Sequence, residues 1–310
     1  MISIRWILTL LSTPFFWKPE TSLLRPKRIE WNPSLIPETI QIKGHTIFYV
    51  VKGEGKPLLL IHGFGAGIWV WERQIDILSN LYRVYALDLI GHGFSERPRI
   101  EYRPETYIHF LRDFMDGLGI EKATLIGNSM GGGIAWAMAI FFPERADRLI
   151  LIDCIPPDVL DRVRNDSFKA LAAIRDIPLL PRLFIAGRNR NSIRQVLREC
   201  IFDSRLITPE IVDRQNRLSQ LRGTTRVLFS TLKNAEEARS MRDSLSLIRH
   251  PTLLIWGERD LIFPPSVGEE LHQAIHGSTL RIIRGSGHIP MWEKPQEVNE
   301  MILSFLKELS

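Results

Sequence analysis

Cysteine is scarce in this sequence of 310 residues, which contains only Cys154 and Cys200. Neither belongs to a C-x-x-C pair or stands at the Cys/His spacing of a zinc site, so we expect no disulfide scaffold and no metal. Low-complexity tracts and internal repeats are also lacking. With 45% apolar and 24% charged residues, the composition excludes a disordered chain, a collagen-like repeat and a polytopic membrane protein. We therefore predict a globular, cytoplasmic protein.

The N-terminus is apolar but too short to cross a bilayer. Residues 1–17 carry one charge, Arg5, and residues 6–17 are uncharged, whereas a spanning helix needs about 20 apolar residues. No small-x-small cleavage site follows, which argues against a cleaved secretory signal. Arg5, Thr9 and Ser12 share one helical face. Residues 1–17 therefore fit either a helix in peripheral contact with a membrane or a helix covering an apolar groove of the protein itself.

Acidic residues are outnumbered mainly in one region. The chain has 40 Lys and Arg against 35 Asp and Glu, and residues 154–250 hold 18 of the basic and 11 of the acidic residues. A basic surface can meet nucleic acid, anionic lipid or an acidic substrate. Here the arginines alternate with acidic and apolar residues, and no nucleic-acid-binding motif accompanies them. We predict a solvated helical surface and no nucleic-acid partner.

Short apolar runs alternate with amphipathic stretches from about residue 40 onward. The run Leu58-Leu59-Leu60-Ile61 has no polar face, which is typical of a strand buried on both sides in a parallel sheet. The alternation predicts an α/β fold with a mostly parallel, twisted sheet and helices on both faces. The predicted strands are residues 46–51, 57–61, 84–87, 123–126, 149–152, 252–256 and 279–283. The predicted helices are residues 75–81, 107–118, 130–142, 267–274 and 298–309.

Residues 155–247 interrupt that alternation. They have helical periodicity without a convincing strand, and Pro156, Pro157, Pro178 and Pro181 divide them. We interpret this stretch as a helical cap inserted between two core strands. The predicted organisation is an apolar N-terminal extension (1–35), the first part of the core (36–154), the cap (155–247) and the second part of the core (248–310).

A serine lies where a predicted strand turns into a predicted helix. The motif Gly127-Asn128-Ser129-Met130-Gly131 follows residues 123–126 and opens the helix at residue 130. A sharp strand-to-helix turn needs small neighbours, and the start of the helix presents backbone N–H groups to a developing negative charge. The pattern predicts that Ser129 is a nucleophile.

A second glycine-rich segment follows the predicted strand 57–61. In His62 to Gly67 (H-G-F-G-A-G) the glycines let backbone amides approach a substrate oxygen. Their spacing does not match G-x-G-x-x-G, so no dinucleotide is predicted. We predict that His62 supports this loop by hydrogen bonding and that His92 shapes a neighbouring turn, in preference to direct catalytic roles.

An acid and a base follow later strands. Asp260, in G-E-R-D, comes after residues 252–256, and His288, in G-S-G-H, comes after residues 279–283. A serine hydroxyl is a poor nucleophile at neutral pH, so a histidine must take its proton and a carboxylate must orient the histidine. Asp153, after residues 149–152, is a rival for that carboxylate. The G-x-x-D context and the position before His288 favour Asp260.

Together these motifs resemble the α/β-hydrolase fold family over about residues 40–309. Two further strings carry the resemblance, Asp88 to Ser95 (D-L-I-G-H-G-F-S) and His288 to Glu293 (H-I-P-M-W-E). The resemblance implies the α/β-hydrolase fold, with a mostly parallel sheet, helices on both faces and a helical cap between two core strands.

Carried over residue by residue, the resemblance implies Ser129 as nucleophile, His288 as general base and acid, and Asp260 as its orienting partner. The backbone N–H groups of Phe64 and Met130 form the implied oxyanion hole, in which each donor contributes about 3 kcal/mol. The expected supporting residues are His62, Gly63, Gly127 and Gly131.

A serine nucleophile narrows the reaction. It excludes the relatives with an aspartate nucleophile, which are haloalkane dehalogenases and epoxide hydrolases. We predict a carboxylic-ester hydrolase without a cofactor, acting on a small-molecule ester or lipid-like substrate. The alternative is a carbon–carbon hydrolase of the meta-cleavage-product type, which the chain resembles in G-N-S-M-G-G and Trp292-Glu293 but not in H-G-F-G-A-G, where the usual proline is missing.

Other interpretations stay open. A thioesterase, a cofactor-free perhydrolase and a ligand receptor with slow turnover can all use the same fold and triad. Four tryptophans fit either an acyl pocket or the core, namely Trp69, Trp71, Trp136 and Trp292. Nothing in the sequence indicates an oligomeric state.

Overall fold

Eight strands form one sheet at the centre of the protein. The computed structural model describes residues 32–177 and 188–308. Its strands are β1 (Pro37–Ile42), β2 (His45–Lys52), β3 (Pro57–Ile61), β4 (Arg83–Leu87), β5 (Ala123–Asn128), β6 (Ala146–Ile152), β7 (Thr252–Gly257) and β8 (Thr279–Ile283). They lie in the order β1-β2-β4-β3-β5-β6-β7-β8. Strands β3 to β8 run parallel, which confirms the predicted fold class.

An antiparallel hairpin, which the sequence pattern did not predict, forms one edge of the sheet. Strand β1 pairs antiparallel with β2, and β2 pairs antiparallel with β4. The two-residue turn uses Lys43 (φ 49°) and Gly44 (φ 79°), the left-handed pair that a tight hairpin requires. Strand β1 was missed because it is an edge strand whose apolar residues are confined to Pro37, Ile40 and Ile42.

Central strands are buried on both faces. Leu58 and Leu60 pack into one apolar layer, Leu59 and Ile61 pack into the other, and each is at most 1% exposed. Because both faces must be apolar, the strand reads as a continuous apolar run. The predicted two-sided burial is confirmed.

Helices cover both faces of the sheet. They are α1 (Glu72–Leu78), α2 (Pro104–Gly117), α3 (Met130–Phe141), α4 (Val159–Arg162), α5 (Asp166–Ala173), α6 (Arg190–Cys200), α7 (Pro209–Ser219), α8 (Thr224–Asn234), α9 (Pro265–Ala274), α10 (Pro290–Glu293) and α11 (Pro295–Lys307). Helices α1, α10 and α11 pack against one face, and α2, α3 and α9 pack against the other.

Some helix boundaries differ from the predictions for identifiable reasons. Pro104, Pro265 and Pro295 begin α2, α9 and α11 ahead of the first apolar residue, because proline lacks an N–H and suits the first turn. Helix α1 lies three residues earlier than predicted. Leu81, its predicted end, is 55% exposed and belongs to the turn that follows.

Between β6 and β7 the described chain is helical. It contains α4 to α8 and three 3-10 turns (Ser204–Leu206, Ala235–Met241 and Asp243–Leu247), and residues 153–177 and 188–251 include no strand. Apolar side chains of this segment join both layers of the core, for example Val227 in one layer and Ile193 in the other. The division into core and cap at residues 155 and 247 stays a prediction.

Several predictions concern residues that the structure does not describe. These are the apolar segment 1–17, Pro178, Pro181 and the end of the last predicted helix. Within residues 32–177 and 188–308, no helix has both the length and the apolar character needed to traverse a bilayer. Peripheral membrane contact through residues 1–17 and a cytoplasmic location stay predictions.

Candidate active site

Ser129 lies between β5 and α3 in a backbone conformation that side chains rarely adopt, with φ 54° and ψ −120°. Three backbone hydrogen bonds hold this conformation. The Ser129 N–H donates to Ile152 O (3.0 Å), and its carbonyl accepts from the amides of Gly133 (3.1 Å) and Ile155 (3.1 Å). A strained turn that is braced in this way presents the serine hydroxyl outward.

Glycine is required around Ser129 because backbone packs against backbone there. A Cβ atom on Gly127 would lie 2.3 Å from the carbonyl oxygen of Gly131, and one on Gly131 would lie 2.1 Å from that of Ile61. A Cβ on Gly63 would lie 3.0 Å from the Ser129 Cβ, so the glycine-rich loop passes directly beside the serine. All three glycines expected as supporting residues therefore lie at this turn.

Two backbone amides beside Ser129 are free to bind an oxyanion. Within the described part of the chain, the N–H groups of Phe64 and Met130 have no hydrogen-bond acceptor. Phe64 follows Gly63, and Met130 begins α3, whose N-terminal end carries partial positive charge. Donors left unpaired at low exposure are costly unless a ligand satisfies them. Their placement fits the oxyanion hole that the resemblance implied.

His62 braces the glycine-rich loop. Its Nε2 accepts from the N–H of Leu89 (3.0 Å), so the Nδ1–H of the neutral ring donates to Gly63 O (2.8 Å). Complete burial lowers the pKa of His62 to about 4, which keeps the ring uncharged at neutral pH. The bond from Leu89 joins the end of β3 to the segment after β4, and the bond to Gly63 lies within the glycine-rich loop.

Asp88 has a supporting role that the sequence did not reveal. Its Oδ1 accepts the N–H of Ile68 (2.8 Å) and its Oδ2 accepts the N–H of Phe94 (2.7 Å). Gly93 packs on this carboxyl, since a Cβ there would lie 1.9 Å from Asp88 Cγ. Burial raises the pKa of Asp88 to about 7 although both bonds oppose the shift. The only indication of this role in the sequence was the position of Asp88 directly after β4, at the start of D-L-I-G-H-G-F-S.

His288 and Asp260 form a hydrogen-bonded pair. The ring nitrogen Nδ1 donates to Asp260 Oδ2 (2.8 Å), and because a carboxylate only accepts, Nε2 of the neutral ring is left without a proton. Asp260 Oδ1 accepts the amides of Ile262 (2.7 Å) and Phe263 (3.2 Å). His288 lines the same cavity as Ser129. The structure thus joins Asp260 to His288 and places His288 on the same cavity as Ser129.

The loop that carries His288 is held from two directions. The His288 amide donates to Cys200 O (2.8 Å) at the end of α6. The Nδ2 of Asn128 donates both to His288 O (3.1 Å) and to Ile152 O (3.1 Å). The residue before the nucleophile therefore also positions the base.

Glu293 is a second supporting residue that sequence reasoning missed. It is 7% exposed, and its Oε1 accepts the amide of Gly287 (2.7 Å) and the hydroxyl of Ser286 (3.2 Å). Its Oε2 accepts the amides of Phe202 (2.9 Å) and Asp203 (3.1 Å). Burial raises the pKa of Glu293, and the four donors oppose that shift. One carboxylate thus ties the His288 loop to the chain after α6.

Asp153, the rival candidate acid, lies beside Asp260 instead of replacing it. Its Oδ1 accepts the N–H of Gly257 (2.9 Å). One oxygen of each carboxyl and one nitrogen of His288 lie within 4.8 Å of one another, a spacing that could also hold a metal ion. The Nδ1 of the imidazole is already bonded to Asp260.

An apolar cavity of about 340 Å³ opens onto Ser129 and His288. Trp69 and Trp136 line it, whereas Trp71 and Trp292 pack in the apolar layer beneath α1. The four tryptophans are therefore divided between the two roles that the sequence left open. A concave apolar space next to a nucleophile is the usual form of a pocket for a small apolar ligand.

The polar residues that line this cavity include one carboxylate and one cation. Glu199 accepts hydrogen bonds from Asn165 Nδ2 (3.0 Å) and Ser167 Oγ (2.6 Å), and burial raises its pKa. Arg188 is the single cation among the described lining residues, and it donates to Ser219 O (2.8 Å).

A family model described as alpha/beta hydrolase fold matches residues 56–295, which is most of the sequence. The chain belongs to the α/β-hydrolase fold family. This agrees with the parallel sheet, the strand-to-helix serine and the resemblance stated from the motifs.

Known members of the family that are similar to this chain differ in their reactions. The chain is 30% identical to a 2-hydroxy-6-oxononadienedioate/2-hydroxy-6-oxononatrienedioate hydrolase of Burkholderia vietnamiensis, over 84% of this chain and 91% of the relative. A solved meta-cleavage product hydrolase from Pseudomonas fluorescens has a TM-score of 0.75 at 27% identity, covering 88% of this chain and 98% of that one. A solved membrane phospholipase A, described as a bacterial virulence factor, has a TM-score of 0.72 at 28% identity, covering 88% and 86%.

Proposed function

We propose that this protein is a serine hydrolase that cleaves carboxylic esters with an apolar acyl group, through an acyl-enzyme on Ser129. The observation that carries the proposal is the apolar cavity of about 340 Å³ that meets Ser129, His288 and two unpaired amides. A neutral ester places its carbonyl oxygen on the amides and its acyl chain among the apolar side chains. Binding of such a neutral ester needs no charged side chain in the cavity.

The proposed reaction rests on the His288–Asp260 hydrogen bond and on the cavity that Ser129 and His288 share. Ser129 Oγ attacks the ester carbonyl while His288 Nε2 takes its proton, and Asp260 holds the ring by the 2.8 Å bond to Nδ1. The amides of Phe64 and Met130 stabilise the tetrahedral oxyanion. Collapse of the intermediate expels the alcohol, which receives the proton from His288. Water then attacks the acyl-enzyme by the same steps in reverse.

The lining of the cavity supports a neutral acyl group over an anionic one. Transfer of a carboxylate into such a site is costly unless a cation pairs with it. Arg188 is the one cation among the described lining residues, and it keeps its charge while it donates to Ser219 O. The half-buried side chain of Glu199 lines the same space, so an anionic substrate would meet a carboxyl group as well as a cation.

The alternative is carbon–carbon bond hydrolysis, and the relatives named for that reaction favour it. The name of the Burkholderia relative describes a dioate, a substrate with two carboxylates. Such a substrate needs cationic partners in the cavity, and this requirement is what ranks it second here. The structure named as a phospholipase A, at 28% identity, supports ester cleavage on the same scaffold.

Covalent labelling tests the proposal directly. A fluorophosphonate probe is expected to add once to the wild type by intact mass and not at all to Ser129→Ala. Ser304→Ala, at an exposed serine of α11, is the matched control and should label fully. Absence of labelling in the wild type would overturn the assignment of the nucleophile.

Measurements of substrate turnover then identify which bond the protein cleaves. With p-nitrophenyl esters of increasing acyl length we expect kcat/KM to rise about fourfold per methylene, since each buried CH₂ contributes about 0.8 kcal/mol, until the cavity is full. Labelling without ester turnover, together with loss of a 2-hydroxy-6-oxodienoate chromophore, would favour the carbon–carbon hydrolase. Labelling without turnover of either the esters or the dienoate, together with a thermal shift on ligand binding, would favour a receptor.

A further inference from the structure

Asp153 takes no part in the reaction above, yet it is 0% exposed and has a φ of 41°, a region that residues other than glycine avoid. Its Oδ1 accepts a 2.9 Å hydrogen bond from Gly257. Its Oδ2 has no donor within hydrogen-bond distance among the described residues. A buried acceptor without a donor is costly unless the oxygen carries a proton itself.

Asp260 offers a place for that proton. It accepts three donors, His288 Nδ1 and the amides of Ile262 and Phe263, whereas a carboxylate has about four acceptor positions. An oxygen of Asp153 lies within 4.8 Å of the Asp260 carboxylate. Two negative charges this close inside a protein repel, but one shared proton makes the contact attractive.

We infer that Asp153 is held as a neutral carboxylic acid whose Oδ2–H donates to Asp260, which makes it a positioning residue for the Asp260–His288 pair. Its importance to catalysis rests on the proposed function, because only then is that pair catalytic. The hydrogen bond would supply the fourth donor to Asp260, fix the orientation of its carboxylate and spread its negative charge.

Surrounding charges favour the same protonation state. Burial, and next the charge of Asp260, raise the pKa of Asp153 well above its usual range. Glu293 adds a further negative charge that acts in the same direction. Among the described residues, His288 and the thiols of Cys154 and Cys200 also face the carboxyl pair. Burial raises the pKa of both thiols, so the thiols stay uncharged at neutral pH.

Infrared spectroscopy tests the protonation state without any substrate. At about pH 8 the wild type should show the carbonyl stretch of a protonated carboxylic acid, shifted in heavy water and absent from Asp153→Asn. If the difference spectrum between wild type and Asp153→Asn contains no such band, Asp153 is ionised and the inference is wrong. This outcome does not depend on whether the protein hydrolyses esters.

The pH dependence of Ser129 labelling by the fluorophosphonate tests the positioning role. Asp153→Asn keeps a neutral donor, and asparagine tolerates the left-handed backbone, so we expect a rate within about twofold and an unmoved acidic limb. Asp153→Ala lacks the donor and should label about tenfold more slowly, with its acidic limb about one pH unit higher because Asp260 pulls more strongly on the proton of His288.

Two other outcomes of that experiment would contradict the inference. If Asp153 is ionised, Asp153→Asn removes a negative charge and its acidic limb moves about one pH unit lower. If both variants label like the wild type, Asp153 has no positioning role. Failure of the wild type to label would instead contradict the proposed function and leave the infrared result as the test of the shared proton.

Discussion

Replacing Glu293 by glutamine separates the holding of the His288 loop from the chemistry of the site. The carboxylate receives four hydrogen bonds, two from Gly287 and Ser286 and two from the amides that follow α6. Glutamine has the same shape but offers one oxygen and one NH₂ group. Its oxygen should face the two rigid amides after α6, so that the NH₂ group faces Ser286, whose hydroxyl can rotate to accept it.

The cost then falls on the amide of Gly287, which is left facing a donor in the interior. An unpaired buried N–H costs about 2 kcal/mol, which for a chain of this size lowers Tm by about 3 °C. Because Gly287 immediately precedes His288, the imidazole loses its fixed position. We expect kcat to fall about tenfold or more while KM changes little, since the cavity itself is intact.

Thermal unfolding followed by circular dichroism, and ester kinetics over a range of substrate concentrations, measure the two effects. Glu300→Gln, the same substitution at an exposed position of α11, is the matched control and should behave as wild type. A Glu293→Gln protein with unchanged Tm and kcat would refute the reasoning, because no donor could then have been left unpaired.

Three further changes test other parts of the structure. Gly131→Ala places a Cβ 2.1 Å from Ile61 O, so we expect about 3 kcal/mol lower stability in denaturant unfolding and no fluorophosphonate labelling; wild-type labelling would contradict this. Burial lowers the pKa of His92 to about 3, so only the unfolded chain takes up its proton below about pH 6.5, and stability falls as the pH drops. His92→Phe should therefore retain about 2 kcal/mol that the wild type loses between about pH 8 and pH 5, and equal pH dependence in urea unfolding would disprove it. Leu228→Ala enlarges the cavity, and the preferred acyl chain should lengthen by about two carbons; an unchanged optimum would place Leu228 outside the acyl pocket.

The sequence predicted those parts of the site in which side-chain identity is itself the requirement. The turn at Ser129 admits only small neighbours, and each of its glycines packs against backbone, so glycine must appear in the motif. The order of Ser129, Asp260 and His288 distinguished Asp260 from Asp153, and the 2.8 Å bond to the imidazole agrees with that choice. Burial of β3 on both faces was likewise predictable from the sequence, because the strand positions on both faces had to be apolar.

Parts that depend on backbone partners were not predictable. Glu293 and Asp88 act by accepting amide hydrogen bonds, and every residue type except proline supplies such an amide, so the partners have no signature in the sequence. The amides of Phe202 and Asp203 also lie about 90 positions before Glu293. Only the folded arrangement of β8 and the end of α6 brings them together, and the same holds for the shared surroundings of Asp153 and Asp260.

The site includes residues that follow the last strand of the described chain. Asn128 and the carbonyl of His288 are hydrogen-bonded across 160 positions, and His288 follows β8, the strand at the far edge of the sheet. Closing so long a loop costs entropy that is recovered only when the C-terminal strand docks. A chain emerging from the ribosome can form the Ser129 turn well before its histidine has been synthesised. If the protein hydrolyses its substrate through Ser129 and His288 as proposed, activity therefore requires that the chain has folded at least as far as the loop after β8.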